Sequence, residues 1–376
     1  MNKYETFAEI NLSKIGQNIS NLKKLAGSEN RLMAIVKADG YGHGAVETAK
    51  AALKNGADFI GVARNKEALK IRENNISCPV LTLGCPWEDS IKDSAENNID
   101  ISVYDYKTAK MISAKAKEIN KNINVHIKVD TGMGRVGIYG TEKEIFSEII
   151  KIMELSNINP VGIFTHFATA DEKDSEYALL QMSKFQSVLD ILKKNNIDFQ
   201  YKHCANSAAL MNIKQSRNFM VRPGIAIYGL YPSLDINRNI VKLQPAMSLK
   251  ARIVQVKNVK KGSSVSYGRT WFAKKDSRLA IIAIGYADGF QRLLSSKTYV
   301  LINGEKAPLR GTICMDMCVA DITDIKNVTP GEYATIIGKD RDNEISADYH
   351  AKQIGTINYE IVSSITSRVK RLYVYD

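Results

Sequence analysis

Short apolar runs alternate with longer amphipathic stretches eight times between residues 13 and 230, and this alternation most constrains the fold of the chain. Short apolar runs indicate buried strands, and the stretches between them have helical spacing. Regular alternation of strands and helices predicts a parallel sheet, and about 215 residues is the size of a (β/α)8 barrel of the TIM type. The predicted strands are Leu32–Lys37, Phe59–Val62, Val80–Leu83, Ile99–Val103, Asn124–Val129, Val161–Thr165, Phe199–Cys204 and Met220–Tyr228. The predicted helices are Leu12–Leu25, Ala45–Leu53, Glu67–Ile71, Tyr106–Ile119, Glu142–Met153 and Tyr177–Leu192.

A doubly wound open sheet is the alternative to the barrel. That fold binds dinucleotides at a Gly-x-Gly-x-x-Gly turn after its first strand. The glycines at this place, Gly40, Gly42 and Gly44, stand at every second position, so the required spacing is missing. The sequence therefore favours an α/β protein with an N-terminal (β/α)8 barrel.

The second part of the chain has a different pattern, with short strand-like runs separated by glycine-containing turns. Asn303-Gly304 is the strongest of these hairpin signals. We predict a barrel domain over residues 1–238 and a mostly β C-terminal domain over residues 239–376, with a linker at Pro232–Asn239. The first ~10 residues are a candidate to pack with the C-terminal domain.

Composition argues against several classes of protein. The 52 basic and 40 acidic residues leave a net charge of +12, but they are interleaved and no basic cluster carries aromatic residues, so a nucleic-acid partner is not favoured. The best apolar run, Leu279 to Ala287, is too short to span a membrane, and Met1 to Glu9 lacks a signal-peptide core. The five cysteines show no metal-binding spacing, so we expect free thiols, no metal and a cytoplasmic location.

Reactive side chains follow several of the predicted barrel strands. The carboxyl ends of barrel strands meet at one face, where such barrels carry their active sites. We therefore expect these side chains to converge on one site. They are Lys37 after the first strand, Lys128 and Arg135 around the end of the fifth, His166 after the sixth, Asn206 and Ser207 after the seventh, and Arg222, Gly224 and Ile225 in the eighth unit.

Each of these residues also has a purely structural interpretation. A lysine at a strand end often extends into solvent, whereas burial would lower its pKa and leave an amine suited to Schiff-base chemistry. His166 and His203 are each typical of buried structural histidines, and we keep His203 in that role. Asn206 is placed to cap a helix, or else the amides of that helix end bind phosphate, which barrels often hold after strands seven and eight. The expected ligand is a phosphorylated cofactor within reach of Lys37.

The stretch Val36–Gly44 closely resembles the cofactor-lysine motif of the alanine racemases, fold-type III enzymes that use pyridoxal 5′-phosphate (PLP). The resemblance implies that Lys37 carries PLP and that Tyr41 contacts its phosphate. A second stretch, 129–135, is similar to a family motif whose arginine helps hold the substrate carboxylate, which assigns Arg135 to substrate binding. The preceding residue, Lys128, matches a lysine that is carbamylated in some members.

Matches to the same family continue through most of the chain. Arg222 matches the residue at the pyridine nitrogen, and residues 265–270 resemble the motif of the catalytic tyrosine, which makes Tyr267 the second catalytic residue. The other cofactor-binding residues that the resemblance implies are His166, Asn206, Ser207, Gly224, Ile225 and Tyr359. Segments 285–289 and 311–316 resemble the lining of the substrate pocket and imply Tyr286, Met315 and Asp316 as substrate-binding residues.

The resemblance implies interconversion of L-alanine and D-alanine, with D-alanine supplied for peptidoglycan. Removing a hydrogen from one face of the substrate and returning a proton to the other calls for two bases. By the resemblance these are Lys37 for the D-enantiomer and, in a head-to-tail homodimer with shared sites, the partner subunit's Tyr267 for the L-enantiomer. Arg222 does not give up its proton, so the pyridine nitrogen should stay unprotonated, which weakens the electron sink and limits transamination. A tyrosine needs nearby positive charge to act as a base, and His166 and Arg222 are the candidates for it.

Three rival functions remain open. A broader-specificity racemase would act on serine or basic amino acids. A fold-type III decarboxylase would carry a glutamate where Arg222 stands and a catalytic cysteine near the C-terminus, whereas Cys314 lies in a segment that matches the racemases. A non-catalytic PLP carrier would lack the β domain and therefore Tyr267.

Overall fold

The structure of the protein is a computed structural model that describes residues 4–375. The chain forms two compact units. The barrel unit comprises residues 14–40 and 45–244. Among the described residues, the strand unit comprises residues 4–13, the short segment 41–44 and residues 245–375. Residues 4–13 therefore belong to the unit that is built mainly from the C-terminal part of the chain.

Seven parallel strands form the sheet of the barrel unit. Strand β1 (Thr6–Asn11) precedes them and belongs to the strand unit. The barrel strands are β2 (Met33–Ile35), β3 (Phe59–Val62), β4 (Val80–Thr82), β5 (Asp100–Val103), β6 (Ile123–Lys128), β7 (Ile158–Phe164) and β8 (Tyr201–His203). They pair in consecutive order from β2 to β8, and β2 to β5 are buried at every position. Continuous burial is expected for parallel strands that are covered on both faces.

Met220 and Val221 close the barrel between its first and last strands. Met220 forms a parallel bridge with His203 of β8, and Val221 forms one with Leu32, next to β2. The Met33 amide donates a hydrogen bond to the Val221 carbonyl at 2.8 Å. The predicted (β/α)8 barrel followed by a mostly β domain is confirmed.

The predicted eighth strand, Met220–Tyr228, is wrong in its extent. Pro223 lacks the N–H that a continuing ladder needs. Gly224 leaves the extended conformation, and Ile225–Tyr228 forms a 3₁₀ turn. The eighth strand is therefore reduced to a short bridged segment, and the chain turns at the end where the barrel strands carry their functional groups.

Helices connect the strands of the barrel, and the six predicted ones are confirmed with ends displaced by at most two residues. They are Leu12–Ala26, Ala45–Lys54, Asn65–Glu73, Tyr106–Glu118, Glu142–Met153 and Glu176–Lys194. Two short helices, Ile91–Glu96 and Ser207–Asn212, complete the unit. Local capping starts several of them: Asp105 accepts a hydrogen bond from the Thr108 amide at 2.6 Å.

The strand unit is built around β9 (Met247–Val259), whose partners include β1, β12 and β16. Its other strands are β10 (Ser264–Val265), β11 (Trp271–Phe272), β12 (Ser277–Ile282), β13 (Tyr299–Ile302), β14 (Glu305–Pro308), β15 (Cys318–Asp321), β16 (Tyr333–Asp340), β17 (Asn343–Ile345) and β18 (Lys370–Val374). Two helices, Ala347–Ile354 and Asn358–Ser363, lie between β17 and β18 in the chain. Strand β1, which the sequence did not predict, pairs in parallel with β18 and antiparallel with β9.

No helix among residues 4–375 has the length and apolar character needed to cross a membrane.

Candidate active site

Lys37 follows β2 after one intervening residue, Val36, and stands at the start of a left-handed turn. The backbone φ angles are 52° at Ala38, 50° at Asp39, 64° at Gly40 and 51° at Tyr41. Left-handed conformation costs roughly 1–2 kcal/mol for each residue that carries a side chain. The turn therefore persists only because surrounding contacts hold it, and such strain is typical of functional sites.

Two buried or partly buried side chains hold the backbone on either side of Lys37. Glu67 accepts a hydrogen bond from the Ala38 amide at 2.6 Å. Tyr228, which is fully buried, donates its hydroxyl to the Ile35 carbonyl at 3.0 Å. These two hydrogen bonds fix the backbone on both sides of Lys37, at the residue after it and at the end of the strand before it.

The side chains predicted at separate strand ends form a cluster of positive charge in the barrel unit. Burial lowers the pKa of Lys37, and the nearby charge of Arg135 lowers it further. Burial, Arg135 and Arg222 together lower the pKa of Lys128 to about 8. Burial and the surrounding cations, Arg222 first among them, hold the pKa of His166 well below its usual value, so this imidazole is neutral.

Arg222 is buried in the centre of this cluster. Its guanidinium donates to His203 Nδ1 at 2.9 Å and to the Thr165 carbonyl at 2.8 Å, and it lies 3.3 Å from His166 Nδ1. Burial lowers the pKa of Arg222 to about 10, so the group stays charged at neutral pH. None of these partners is a carboxylate, so the guanidinium keeps a capacity for an anionic or nitrogen acceptor.

The predicted phosphate segment is assembled after β8. The side chain of Asn206 accepts the Ala209 amide at 2.8 Å and caps the helix that follows, which is the structural role considered for it. Ser207 Oγ accepts the amides of Gly224 at 2.8 Å and Ala226 at 3.3 Å. Ile225 is fully buried at the start of the 3₁₀ turn. The structure therefore brings these residues together around one hydroxyl.

Tyr267 occupies a tight turn of the strand unit and is 73% exposed. The flanking Ser266 and Gly268 have φ angles of 64° and 73°. Thr312 donates its hydroxyl to the Tyr267 carbonyl at 2.9 Å and so ties the turn to a neighbouring loop. The phenol is thus presented at the surface of its unit from a backbone held in place.

The residues predicted to line the substrate pocket are close together in the same unit. The Tyr286 amide donates to the Cys314 carbonyl at 3.1 Å, and the side chain of Asp316 accepts from Arg368 at 2.8 Å. Met315 is 53% exposed. A Cβ at Gly285 would overlap the Met315 carbonyl, so only glycine allows the two loops to approach.

Tyr41 and Tyr359, the two tyrosines predicted to contact a phosphate, both belong to the strand unit. Their ring centroids lie 6.1 Å apart. Burial raises the pKa of Tyr41, so its hydroxyl stays protonated and able to donate. Arg371 of β18 donates a hydrogen bond to the Gly42 carbonyl at 2.9 Å, and this contact ties the segment that carries Tyr41 to the sheet.

Sequence interpretation missed several residues that support the site. His203 was assigned a structural role, but it contacts Arg222, and its other nitrogen contacts His126. Gln181 holds the loop after β7 by accepting the Ala168 amide at 2.9 Å and donating to the His166 carbonyl at 3.1 Å. Nothing in the sequence indicated the role of Glu67, because this residue lies on the helix Asn65–Glu73, far along the chain from the turn at Lys37 that it holds.

The residues of the barrel unit fit PLP. The charge of Arg135 lowers the pKa of Lys37 and of Lys128, and Arg222 also lowers that of Lys128, so these cations lie near one another. Such a cluster binds a phosphate or a carboxylate. The lowered pKa of Lys37 leaves more of the neutral amine that covalent attachment of a carbonyl group requires. Within the described residues, 4–375, no cluster of histidine, cysteine and acidic side chains is arranged to hold a metal ion.

Comparisons with known proteins identify the family. Residues 10–232 match the family model of the alanine racemase N-terminal domain, and residues 246–373 match that of the C-terminal domain. The alanine racemase of Methanococcus maripaludis is 45% identical over 375 residues, covering all of both chains, and that of Desulforamulus reducens is 43% identical over 372 residues, covering 99% of this chain and all of its own. The solved alanine racemase of Clostridium difficile 630 superposes with a TM-score of 0.94 at 38% identity, covering 100% of this chain and 97% of its own.

The chain shares its architecture, a barrel followed by a strand-rich unit, with a solved amino-acid racemase, and racemases are isomerases. Both family models and the relatives that match along their full length point to one family. The chain belongs to the alanine racemase family.

Proposed function

We propose that this protein interconverts L-alanine and D-alanine with PLP held at Lys37. The observation that carries the proposal is the partly buried Lys37 after the first barrel strand, whose pKa is lowered by burial and by the charge of Arg135, in a chain that matches alanine racemases over its whole length. PLP, when bound, supplies the electron sink that weakens the covalent Cα–H bond of an amino acid. The protein itself must bind the cofactor, orient the substrate and move the proton.

The barrel unit supplies most of the groups that would bind and orient the cofactor. Lys37 would attach it, and Arg222 would face the ring nitrogen as a donor because it retains its proton. Ser207 and the amides around Gly224, together with Asn206 and Ile225, would surround the phosphate, with Tyr41 and Tyr359 as further donors. His166, neutral and next to Arg222, would keep that guanidinium in place.

Two bases on opposite faces would move the proton. Lys37 would exchange the α-hydrogen of D-alanine, and Tyr267 that of L-alanine, since one group cannot reach both faces. Arg135 would orient the substrate carboxylate, and Met315, Tyr286 and Asp316 would line the space for its side chain. A small space at this place favours alanine over larger amino acids.

We propose that the active form is a head-to-tail homodimer in which the partner subunit's Tyr267 completes each site. Tyr267 is 73% exposed, and Phe272, Met315 and Met317 of the same unit are also large, apolar and exposed. Exposed apolar side chains on one unit are typical of an interface.

Mixing two inactive variants tests the shared site. Lys37→Ala and Tyr267→Phe dimers should each be nearly inactive, but subunit exchange should restore about one quarter of the wild-type activity, because about half of the dimers are mixed and each mixed dimer holds one intact site. The measurement is racemase activity before and after exchange in mild denaturant. Activity that stays at the level of the separate variants would show that both bases come from one chain.

Lys128 is proposed to be carbamylated. A pKa of about 8 leaves a sizeable neutral fraction of its amine at mildly alkaline pH, and the neutral amine adds carbon dioxide with loss of a proton. The negative carbamate would then pair with Arg135. With ¹³C-labelled bicarbonate, we expect a carbamate NMR signal that grows as the pH rises through about 8. The signal should vanish in Lys128→Met and persist in Lys66→Met, a change at an exposed lysine.

Chiral chromatography of L-alanine incubated with the protein and PLP tests the proposed reaction, with L-serine, L-lysine and L-ornithine in parallel. We expect D-alanine to form well ahead of any other D-amino acid. Racemisation of another amino acid instead, or release of carbon dioxide, would leave the family assignment intact but show that alanine is not the substrate.

We propose peptidoglycan synthesis as the use of the D-alanine. Expression in a bacterial strain that requires D-alanine should restore growth without the supplement, whereas the Lys37→Ala variant should not. The cytoplasmic location stays a prediction from the sequence.

A further inference from the structure

A continuous row of hydrogen-bonding side chains runs from Arg222 through the interior of the barrel to Asp100. Arg222 lies 2.9 Å from His203 Nδ1, and His203 Nε2 lies 2.9 Å from His126 Nδ1. His126 Nε2 lies 3.4 Å from a carboxylate oxygen of Asp100, the first residue of β5. Both histidines are fully buried, and Asp100 is 6% exposed. None of His203, His126 and Asp100 has a role in the chemistry proposed above.

The positions of the protons along this row follow from its two ends. Arginine can only donate, so His203 Nδ1 must accept and His203 carries its proton on Nε2. That proton is donated to His126 Nδ1, so His126 carries its own proton on Nε2 and donates it to Asp100. Every hydrogen bond therefore points in the same direction, from the guanidinium to the carboxylate. Burial and the charge of Arg222 hold the pKa of His203 well below its usual value, which agrees with a neutral ring.

The surrounding residues make room for the row. Gly162 on β7 lies beside His126, and a Cβ there would overlap the His126 ring. The ring of His203 stacks on Phe164 with centroids 4.7 Å apart, and the ring of His126 stacks on Tyr201 at 5.6 Å. The two imidazoles are thus fixed in the planes that their hydrogen bonds require.

The row gives the buried guanidinium a distant counter-charge. A buried charge without a partner is strongly unfavourable, and the groups within hydrogen-bond distance of Arg222 in residues 4–375 are imidazoles and backbone carbonyls, none of them acidic. Arg72 is close enough to Asp100 to be affected by its charge, but it directs its own N–H groups to backbone carbonyls, including those of Ile76 and Asn97. Asp100 is therefore available to the end of the row.

We propose that Asp100 is a positioning residue that acts through His126 and His203 to orient Arg222 and to set its strength as a hydrogen-bond donor toward the cofactor ring. This inference rests on the proposed function for its consequence, but the order of the protons along the row does not. Without an acceptor at position 100, the Nε2–H of His126 would be buried without a partner, and this cost opposes the proton order that Arg222 imposes at the other end. His126 can escape the cost by moving its proton to Nδ1. His203 would then carry a proton on Nδ1, facing the N–H of Arg222, and the two donors would separate.

The first test reads the histidine protons directly. In the PLP-loaded protein labelled with ¹⁵N at histidine, NMR should show both His126 and His203 protonated on Nε2. In Asp100→Leu we expect at least one of them to change to the Nδ1-protonated form. Asp100→Asn keeps an oxygen acceptor and should retain the original tautomers. The control is Asp58→Asn. Asp58 accepts hydrogen bonds from a backbone amide and from a lysine in the barrel unit, but it lies outside the row.

The second test reads the effect on the site. Asp100→Leu should lower kcat for alanine by roughly 10-fold or more with little change in KM, and should alter the visible absorption of bound PLP. Asp100→Asn should have a smaller effect, and Asp58→Asn none beyond about twofold. The proposal is overturned if wild-type tautomers differ from those assigned, or if Asp100→Leu matches Asp58→Asn in tautomers, spectrum and kcat. Wild-type protein with the assigned tautomers but no racemase activity would instead reject the proposed function.

Discussion

Lys37→Ala is expected to lower kcat/KM for alanine racemisation by at least about 10³-fold. The change removes the group proposed to attach PLP and, with it, one of the two proposed bases. The variant should also lose the cofactor during gel filtration, so that the filtered protein lacks the visible absorbance of bound PLP that wild-type protein retains. Chiral chromatography measures the activity, and absorbance of the filtered protein measures the bound cofactor.

A control and a rescue separate the chemistry of Lys37 from its effect on folding. Lys66→Ala, a change at an exposed lysine of the same unit, should keep both activity and bound PLP. A small amine such as methylamine, added with excess PLP, should restore part of the activity of Lys37→Ala because it supplies the missing amine function. Full racemisation by Lys37→Ala without added amine would reject Lys37 as the cofactor lysine.

The barrel could be predicted from the sequence because its signals are local. Short apolar runs such as Phe59–Val62 and amphipathic stretches such as Glu142–Met153 appear in the structure with the same bounds. The eighth strand could not be bounded in the same way. Its apolar residues Ile225–Tyr228 resemble a strand by composition, but Pro223 and Gly224 before them end the ladder.

Strand β1 was missed for the opposite reason. Its six residues mix polar and apolar side chains, and their burial depends on β9 and β18, which lie far along the chain. No window of sequence contains those partners. Pairing across hundreds of residues is tertiary information, which overrides local propensity.

The candidate site divides along the same line between local and tertiary information. Lys37, Arg135 and Tyr267 each stand in a long motif, so a resemblance could identify them. Supporting contacts are made by single residues without a motif, because one side chain at the right point in space is sufficient. Glu67 holds the turn after Lys37, and His126 contacts His203, the neighbour of Arg222. The three-dimensional structure was needed to find these residues.

Tyr267→Phe is expected to lower kcat/KM by about 10²–10⁴-fold, the usual contribution of one acid–base group. Its turn is held by backbone contacts, including the one from Thr312, so removal of the hydroxyl should leave the fold and the bound PLP unchanged. Phe272→Ala, a change at another exposed aromatic residue of the same unit, is the control for a general effect on that surface. The loss should therefore be specific to the chemistry.

Hydrogen exchange distinguishes two bases from one. In deuterated water, Tyr267→Phe should still exchange the α-hydrogen of D-alanine, because Lys37 is assigned to that face, while exchange from L-alanine should fall with racemisation. A single base serving both faces would slow the exchange of both enantiomers equally. Equal slowing would therefore reject the two-base assignment, and exchange limited to D-alanine would place Tyr267 on the L face and Lys37 on the other.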